Sequence, residues 1–135
     1  MTSRLRLSLV LGCCLFLFPG ETTADEPAHQ RIFHSKHDGY PRFRIPSLVV
    51  TRAGTVLAIC EGRADGGGLQ GNVDLVCRRS TDHGKTWSAV RVIADAEKDT
   101  LGNPCAVVDR HTGYVWLAFT RSPGQFTEAQ ITRGE

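Results

Sequence analysis

Three short stretches hold side chains with the means to do chemistry. Arg44 lies in Phe43-Arg44-Ile45-Pro46, Arg63 ends Cys60-Glu61-Gly62-Arg63, and Asp65 follows two residues later. A guanidinium is planar and always charged, and it holds a carboxylate through two parallel hydrogen bonds. An arginine wedged among apolar residues is hard to solvate at random, so Arg44 is a candidate anion binder. The plain alternative is a solvated surface arginine. Arg63 sits where the second strand meets a Gly-rich loop and reads by itself as a loop arginine, and Glu61 either pairs with an arginine or ends a strand. Asp65 is a carboxyl group able to move a proton. Asp74, in Val73-Asp74-Leu75-Val76, reads as a strand residue facing solvent. There is no CxxC spacing and the five histidines are scattered, so no metal and no cofactor is expected.

A fourth stretch, Ser80-x-Asp82-x-Gly84-x-Thr86-Trp87, has a structural rationale. Asp82 can accept backbone N–H groups across a turn, Gly84 supplies a positive φ, and Trp87 packs an apolar face beneath the hairpin. It reads as scaffold.

The elements that must position these residues are short strands. Ile45 to Val50 is a strand, Thr51 to Gly54 a hairpin loop, and Thr55 to Cys60 a nearly all-apolar strand buried on both faces. Gly62 to Asn72 holds five glycines in eleven residues and is too long for a tight turn. Val73 to Arg79 is a third strand, Thr81 to Lys85 a hairpin turn, and Ala89 to Ile93 a fourth strand with the alternation of an outer edge. Ahead of them, Ile32-Phe33 reads as a possible short strand and Asp38-Gly39-Tyr40-Pro41 as a turn.

Pro46-Ser-Leu-Val-Val-Thr-Arg-Ala-Gly-Thr-Val-Leu-Ala58 then recurs as Pro104-Cys-Ala-Val-Val-Asp-Arg-His-Thr-Gly-Tyr-Val-Trp-Leu-Ala118, a period of 58 residues. Four strands in such a period describe a propeller blade. The first blade is placed at residues 43–95 and a partial second at 103–135, with Glu128 to Ile131 as the start of a further strand. Residues 25–41 form a lead-in, and the propeller region as a whole runs over 42–135. The fold class is all-β, with about one and a half blades present.

Composition adds boundaries. The 135 residues carry a net charge of +2, too small to argue for nucleic acid or a membrane surface. Arg4 and Arg6, an apolar run from Leu7 to Phe18, Pro19-Gly20 and Thr22-Thr23-Ala24 read as a signal peptide over residues 1–24. The apolar run is too short to span a bilayer, so no stable membrane insertion is expected after cleavage. The protein is expected to be secreted or periplasmic. Cys60, Cys77 and Cys105 remain after cleavage. A Cys60–Cys77 bridge is open, against the alternative of three buried thiols.

Taken in order, Phe43-Arg44-Ile45-Pro46, Cys60-Glu61-Gly62-Arg63 and the Ser80–Trp87 pattern resemble the FRIP motif, the E-x-R element and the Asp-box of sialidases. The resemblance covers about Arg31 to the C-terminus. It implies a six-bladed β-propeller that hydrolyses terminal α-linked sialic acid from glycoconjugates, with sialylated glycans as partners and no nucleic acid. Arg44 matches the first of three carboxylate-binding arginines, and Arg63 resembles the arginine near the general acid. Ser80, Asp82, Gly84, Thr86 and Trp87 match the structural Asp-box. The family's aspartate acid, eleven residues before the box serine, falls on Leu69 here, and leucine transfers no proton. Asp65, in the same Gly-rich loop, is the substitute acid. The resemblance also implies a tyrosine nucleophile activated by glutamate, plus two more arginines from later blades. Tyr40 and Tyr114 match no such motif, so residues 1–135 alone are expected to be inactive. The alternative is a sialidase-like propeller that binds glycans without hydrolysis, which Leu69 favours. A weaker reading is an Asp-box propeller with no sugar role.

Overall fold

A computed structural model of the chain describes residues 29–65 and 71–134. The expected leader and Leu69 lie outside the described residues. The first blade contains β1 (Arg42–Val50), β2 (Val56–Arg63), β3 (Val73–Ser80) and β4 (Arg91–Ala94), each antiparallel to the one before it. A second blade begins with the antiparallel pair β5 (Thr100–Val108) and β6 (Val115–Ser122). The two join by a parallel bridge between Val73 and Thr100.

Turn chemistry closes the β1–β2 and β5–β6 hairpins. After β1, Thr51 Oγ1 accepts the Thr55 N–H at 3.1 Å and Gly54 takes φ 81°. Between β5 and β6, Asp109 accepts the N–H of His111 at 2.8 Å and the hydroxyl of Thr112 at 2.6 Å. These bonds hold its carboxyl below the usual carboxylate range, the Thr112 hydroxyl foremost. Arg52 in the first hairpin donates to the carbonyl of His111 in the second, so neighbouring hairpin tips are tied together.

Strand alternation sorts the first blade into two faces. Ile59, Glu61 and Arg63 pair with Cys77, Leu75 and Val73 on one face, which packs toward β5. Ala58, Cys60 and Gly62 pair with Arg78, Val76 and Asp74 on the other. Residues 29–41 lie over part of that second face. The Tyr40 ring packs on Gly62, its hydroxyl donates to Asp74 Oδ2 at 2.5 Å, and Arg78 donates to Asp38 at 2.5 Å beneath the Phe33 ring. Beyond this cover the second face stays open. Leu48 and Val50 are exposed there, beside an apolar groove of about 400 Å³. On the second blade Val107 and Trp116 pair on a face that is also exposed. These are the faces that a flanking blade covers in a propeller.

Several expectations need correction. Asp74 is buried, because the lead-in covers the face expected to meet solvent. Ile32-Phe33 forms no strand; Phe33 stacks on Phe43 with ring centroids 5.1 Å apart. The residues from Glu128 form a helix, α1 (Glu128–Arg133), not a strand. Thr127 and Gln130 build a capping box and Gly134 closes the end in the left-handed conformation, a pattern visible as Thr-x-x-Gln before a glycine. No disulfide joins Cys60 and Cys77. Cys60 pairs with Val76 and Cys77 with Ile59, so the two thiols point to opposite faces. Burial pushes the Cys60 thiol up to about 12. Cys105 is exposed, on the open face of the second blade, and not buried as expected.

Candidate functional site

The first blade has two chemically different ends. β1 begins where β2 ends, so Arg44 pairs with Glu61, and Arg42 with Arg63, at one rim. Ser80 pairs with Val56 at the opposite rim, beside the β1–β2 hairpin.

That opposite rim is a saturated turn. Asp82 accepts the Thr86 hydroxyl at 2.6 Å, the Thr86 N–H at 2.9 Å and the Ser80 hydroxyl at 2.7 Å. The Thr86 hydroxyl and amide, more than Ser80, hold its carboxyl far below the usual range. Ser80 Oγ in turn accepts the Gly84 N–H at 2.8 Å. Trp87 donates from Nε1 to the Gly84 carbonyl at 3.1 Å and so lies under the turn. His83 as well as Gly84 has positive φ, 61° and 87°. That makes a primed hairpin turn, suited to the twist of flanking strands. All of Asp82's capacity goes into the turn, which makes this motif a folding device.

The first rim is built differently. Between Arg44 and Ser47 the residues Ile45 and Pro46 face Cys60 alone, which is a β-bulge. Ile45 carries φ 52°, a left-handed conformation that a β-branched residue rarely adopts. Proline fits here because β1 is an edge strand and the bulge asks no N–H of that position. The bend presents Arg44 at the surface. It is exposed, and among the described residues no hydrogen bond or ion pair engages its guanidinium.

Arg63 and Glu61 are buried, at 5% and 2% relative exposure. Arg63 donates from Nε and Nη2 to Glu61 Oε2, at 3.0 and 2.5 Å. Thus Glu61 pairs with an arginine, the first of the two roles open to it from sequence. Its other oxygen, Oε1, accepts the backbone N–H of Asn103 on β5 at 3.0 Å. One carboxylate therefore joins Arg63 to the second blade.

Asp65 stands at the same rim, where the Gly-rich loop leaves β2. Its Oδ2 accepts the Asn72 N–H at 2.8 Å across the mouth of the loop. Gly71, at φ 119°, leaves room for it, since a Cβ there would come within 2.6 Å of Oδ2. Asp65 is exposed, so it remains open to solvent at the rim. Arg44, Arg63 and Asp65 thus share one end of the blade.

Two further polar features escaped sequence reading. Among the described residues Asp74 Oδ1 is buried with no hydrogen-bond partner, while Oδ2 receives the Tyr40 hydroxyl. Burial raises the Asp74 carboxyl above its ordinary value, and burial together with Asp74 raises the Tyr40 hydroxyl. The second feature is a copy of the β1 bulge: Asn103-Pro104 on β5 faces Phe119 of β6 alone. The 58-residue repeat marks its position, but the proline alone does not announce a left-handed residue before it. Among the described residues no group of three or more His, Cys, Asp or Glu side chains is placed to hold a metal ion.

The chain matches no protein-family model. It is 36% identical over 83 residues to a sialidase of Micromonospora viridifaciens, a match covering 58% of this chain and 13% of that protein. It is 37% identical over 102 residues to a sialidase of Bacteroides fragilis, covering 67% and 19%. An exo-alpha-sialidase of Arthroderma benhamiae is 36% identical over 86 residues, covering 59% and 21%. The chain therefore spans about a fifth or less of the length of these relatives. Among solved structures, the Hadza microbial sialidase Hz136 superposes with a TM-score of 0.62 at 28% identity, covering 69% of this chain and 20% of that one. With the bulged arginine strand, the Asp82 turn and the blade repeat all in place, the chain belongs, over the region it shares with these relatives, to the sialidase superfamily.

Proposed function

We propose that this chain supplies the first part of the sugar-acid pocket of an exported exo-α-sialidase, one that hydrolyses terminal sialic acid from glycoconjugates. The full enzyme is a six-bladed propeller, and the leader at residues 1–24 directs it to a secreted or periplasmic location. The observation that carries this reading is the state of Arg44. A guanidinium exposed on a strained bulge, with no partner among the described residues, has its donors available for a substrate carboxylate. Its cross-strand neighbour Glu61 does not compete for it, because Glu61 is already neutralised by Arg63.

In this reading Arg44 clamps the sugar carboxylate and Arg63 lines the pocket beside it. Asp65 protonates the leaving oxygen, from the rim where the loop departs. The tyrosine nucleophile, its glutamate and two further arginines come from later blades, so turnover requires a polypeptide that carries them. Sialylated glycans are the partners.

The test is an assay of the longest natural polypeptide carrying these residues against a fluorogenic α-sialoside, as wild type, Arg44→Ala and Asp65→Ala. The expected result is turnover by wild type and a loss of roughly a hundredfold or more in kcat/KM for Arg44→Ala. Asp65→Ala should lose kcat with little change in KM. Wild-type binding without turnover would replace hydrolysis with glycan recognition, the reading that Leu69 favours. Full turnover by Asp65→Ala would remove Asp65 from the chemistry.

A further inference from the structure

Glu61 is the point where the two blades and the pocket rim meet. Its Oε2 receives Nε and Nη2 of Arg63, and its Oε1 receives the N–H of Asn103 at the second bulge. Both charged partners are buried, so the pair has little water to soften a change in geometry. The space around Oε1 is fitted as well. A Cβ on Gly102 would lie 3.1 Å from Oε1 and 3.3 Å from Thr120 Oγ1, and that hydroxyl donates to the Gly102 carbonyl at 3.0 Å. Gly102 is therefore a glycine of clearance: it makes room for a carboxylate reaching across from the first blade.

We propose that Glu61 is a positioning residue for substrate binding, through which the second blade sets the orientation of Arg63. The inference rests on Arg63 facing substrate in the proposed function. Arg63 is the last residue of β2, and an arginine side chain without fixed partners has many rotamers to choose from. Two donors converging on one carboxylate oxygen select one of them. That oxygen is held in place because its twin is bonded to backbone in β5. A shift of the second bulge is thereby passed to the guanidinium of Arg63 without any contact between Arg63 and β5 being required.

The experiment compares Glu61→Gln, Arg63→Lys, the double variant and Gly102→Ala in the longest natural polypeptide, using 4-methylumbelliferyl α-sialoside and thermal melting. Glu61→Gln keeps an acceptor for the Asn103 N–H but removes the charge that holds Arg63. The expected result is a rise in KM of roughly tenfold with kcat much less affected. The double variant should be no worse than Arg63→Lys, because Glu61 acts through Arg63. Gly102→Ala, which crowds Oε1 from the far side, should raise KM in the same direction. If Glu61→Gln and Gly102→Ala lower the melting temperature but leave KM of the folded enzyme unchanged, Glu61 is only a structural tie and the proposal falls. Additive losses in the double variant would overturn it too. Absence of turnover by wild type would instead remove the sialidase reading itself, a separate outcome.

Discussion

The bulges at Pro46 and Pro104 share a backbone and differ in what they carry. In each, the residue before proline is left-handed, at φ 52° for Ile45 and 54° for Asn103. Two residues face one in both strands. In the second copy every choice relieves strain. Asparagine tolerates the left-handed region, its N–H is bonded to Glu61, and glycine precedes it where a Cβ would crowd that carboxylate at 3.1 Å. In the first copy the choices run the other way. A β-branched residue holds the left-handed position, and the residue before it is an exposed arginine whose guanidinium has no partner among the described residues. Strain of this kind costs on the order of 1–3 kcal/mol and collects where a chain is shaped for binding. The second bulge is tied for stability, and the first is spent on presenting Arg44.

The largest effect is expected at the tie. Glu61→Ala would leave the buried Arg63 guanidinium without its carboxylate and the Asn103 N–H without its acceptor. Breaking a buried pair in this way costs about 3–5 kcal/mol. Chemical denaturation of the longest natural polypeptide should register that loss. A cost below about 1 kcal/mol would mean that the second bulge holds itself, and the contrast between the two copies would lose its cause.

The sequence told much of this story, but unevenly. The 58-residue repeat aligned Pro46 with Pro104, and placing Arg63 where the second strand meets the Gly-rich loop put it, with Asp65, at the same end of the blade as Arg44. The Asp82 turn was readable because Asp and Gly have fixed roles in turns. The left-handed Ile45 was not, since no glycine or asparagine marks it. Asp74 was misread for a different reason. Strand alternation separates two faces but does not say what covers each, and the cover here is an aperiodic lead-in whose Tyr40 reaches Asp74. The role of Glu61 stays open in the sequence because its acceptor bond depends on Asn103, 42 residues away. The helix at Glu128–Arg133 was missed although Thr127-x-x-Gln130 announces it, because the repeat predicted a strand there.

A middle-sized effect separates the two left-handed residues. Ile45→Asn gives the first bulge the residue of the second and should stabilise the protein by about 1 kcal/mol, chiefly by relieving backbone strain. Asn103→Ile makes the opposite exchange and should destabilise by at least as much. Paired melting curves would show shifts of opposite sign. If both substitutions destabilise, Ile45 is held by packing against its surroundings more than it is strained, and the first bulge is no more costly than the second.

The smallest expected effect on stability is the most informative about function. Arg44 is exposed and, among the described residues, its guanidinium contributes no hydrogen bond or ion pair to the fold. Arg44→Ala should therefore change unfolding free energy by no more than about 0.5 kcal/mol, the range of surface substitutions. The same variant is expected to lose most of its kcat/KM. A residue that matters to the fold loses both together, whereas one that faces a ligand loses only the second. If Arg44→Ala instead melted several degrees lower, the guanidinium would be holding the strained bulge in place. The strain at Ile45 would then belong to the architecture of the blade, and Arg44 could no longer be read as a group left free for a substrate carboxylate.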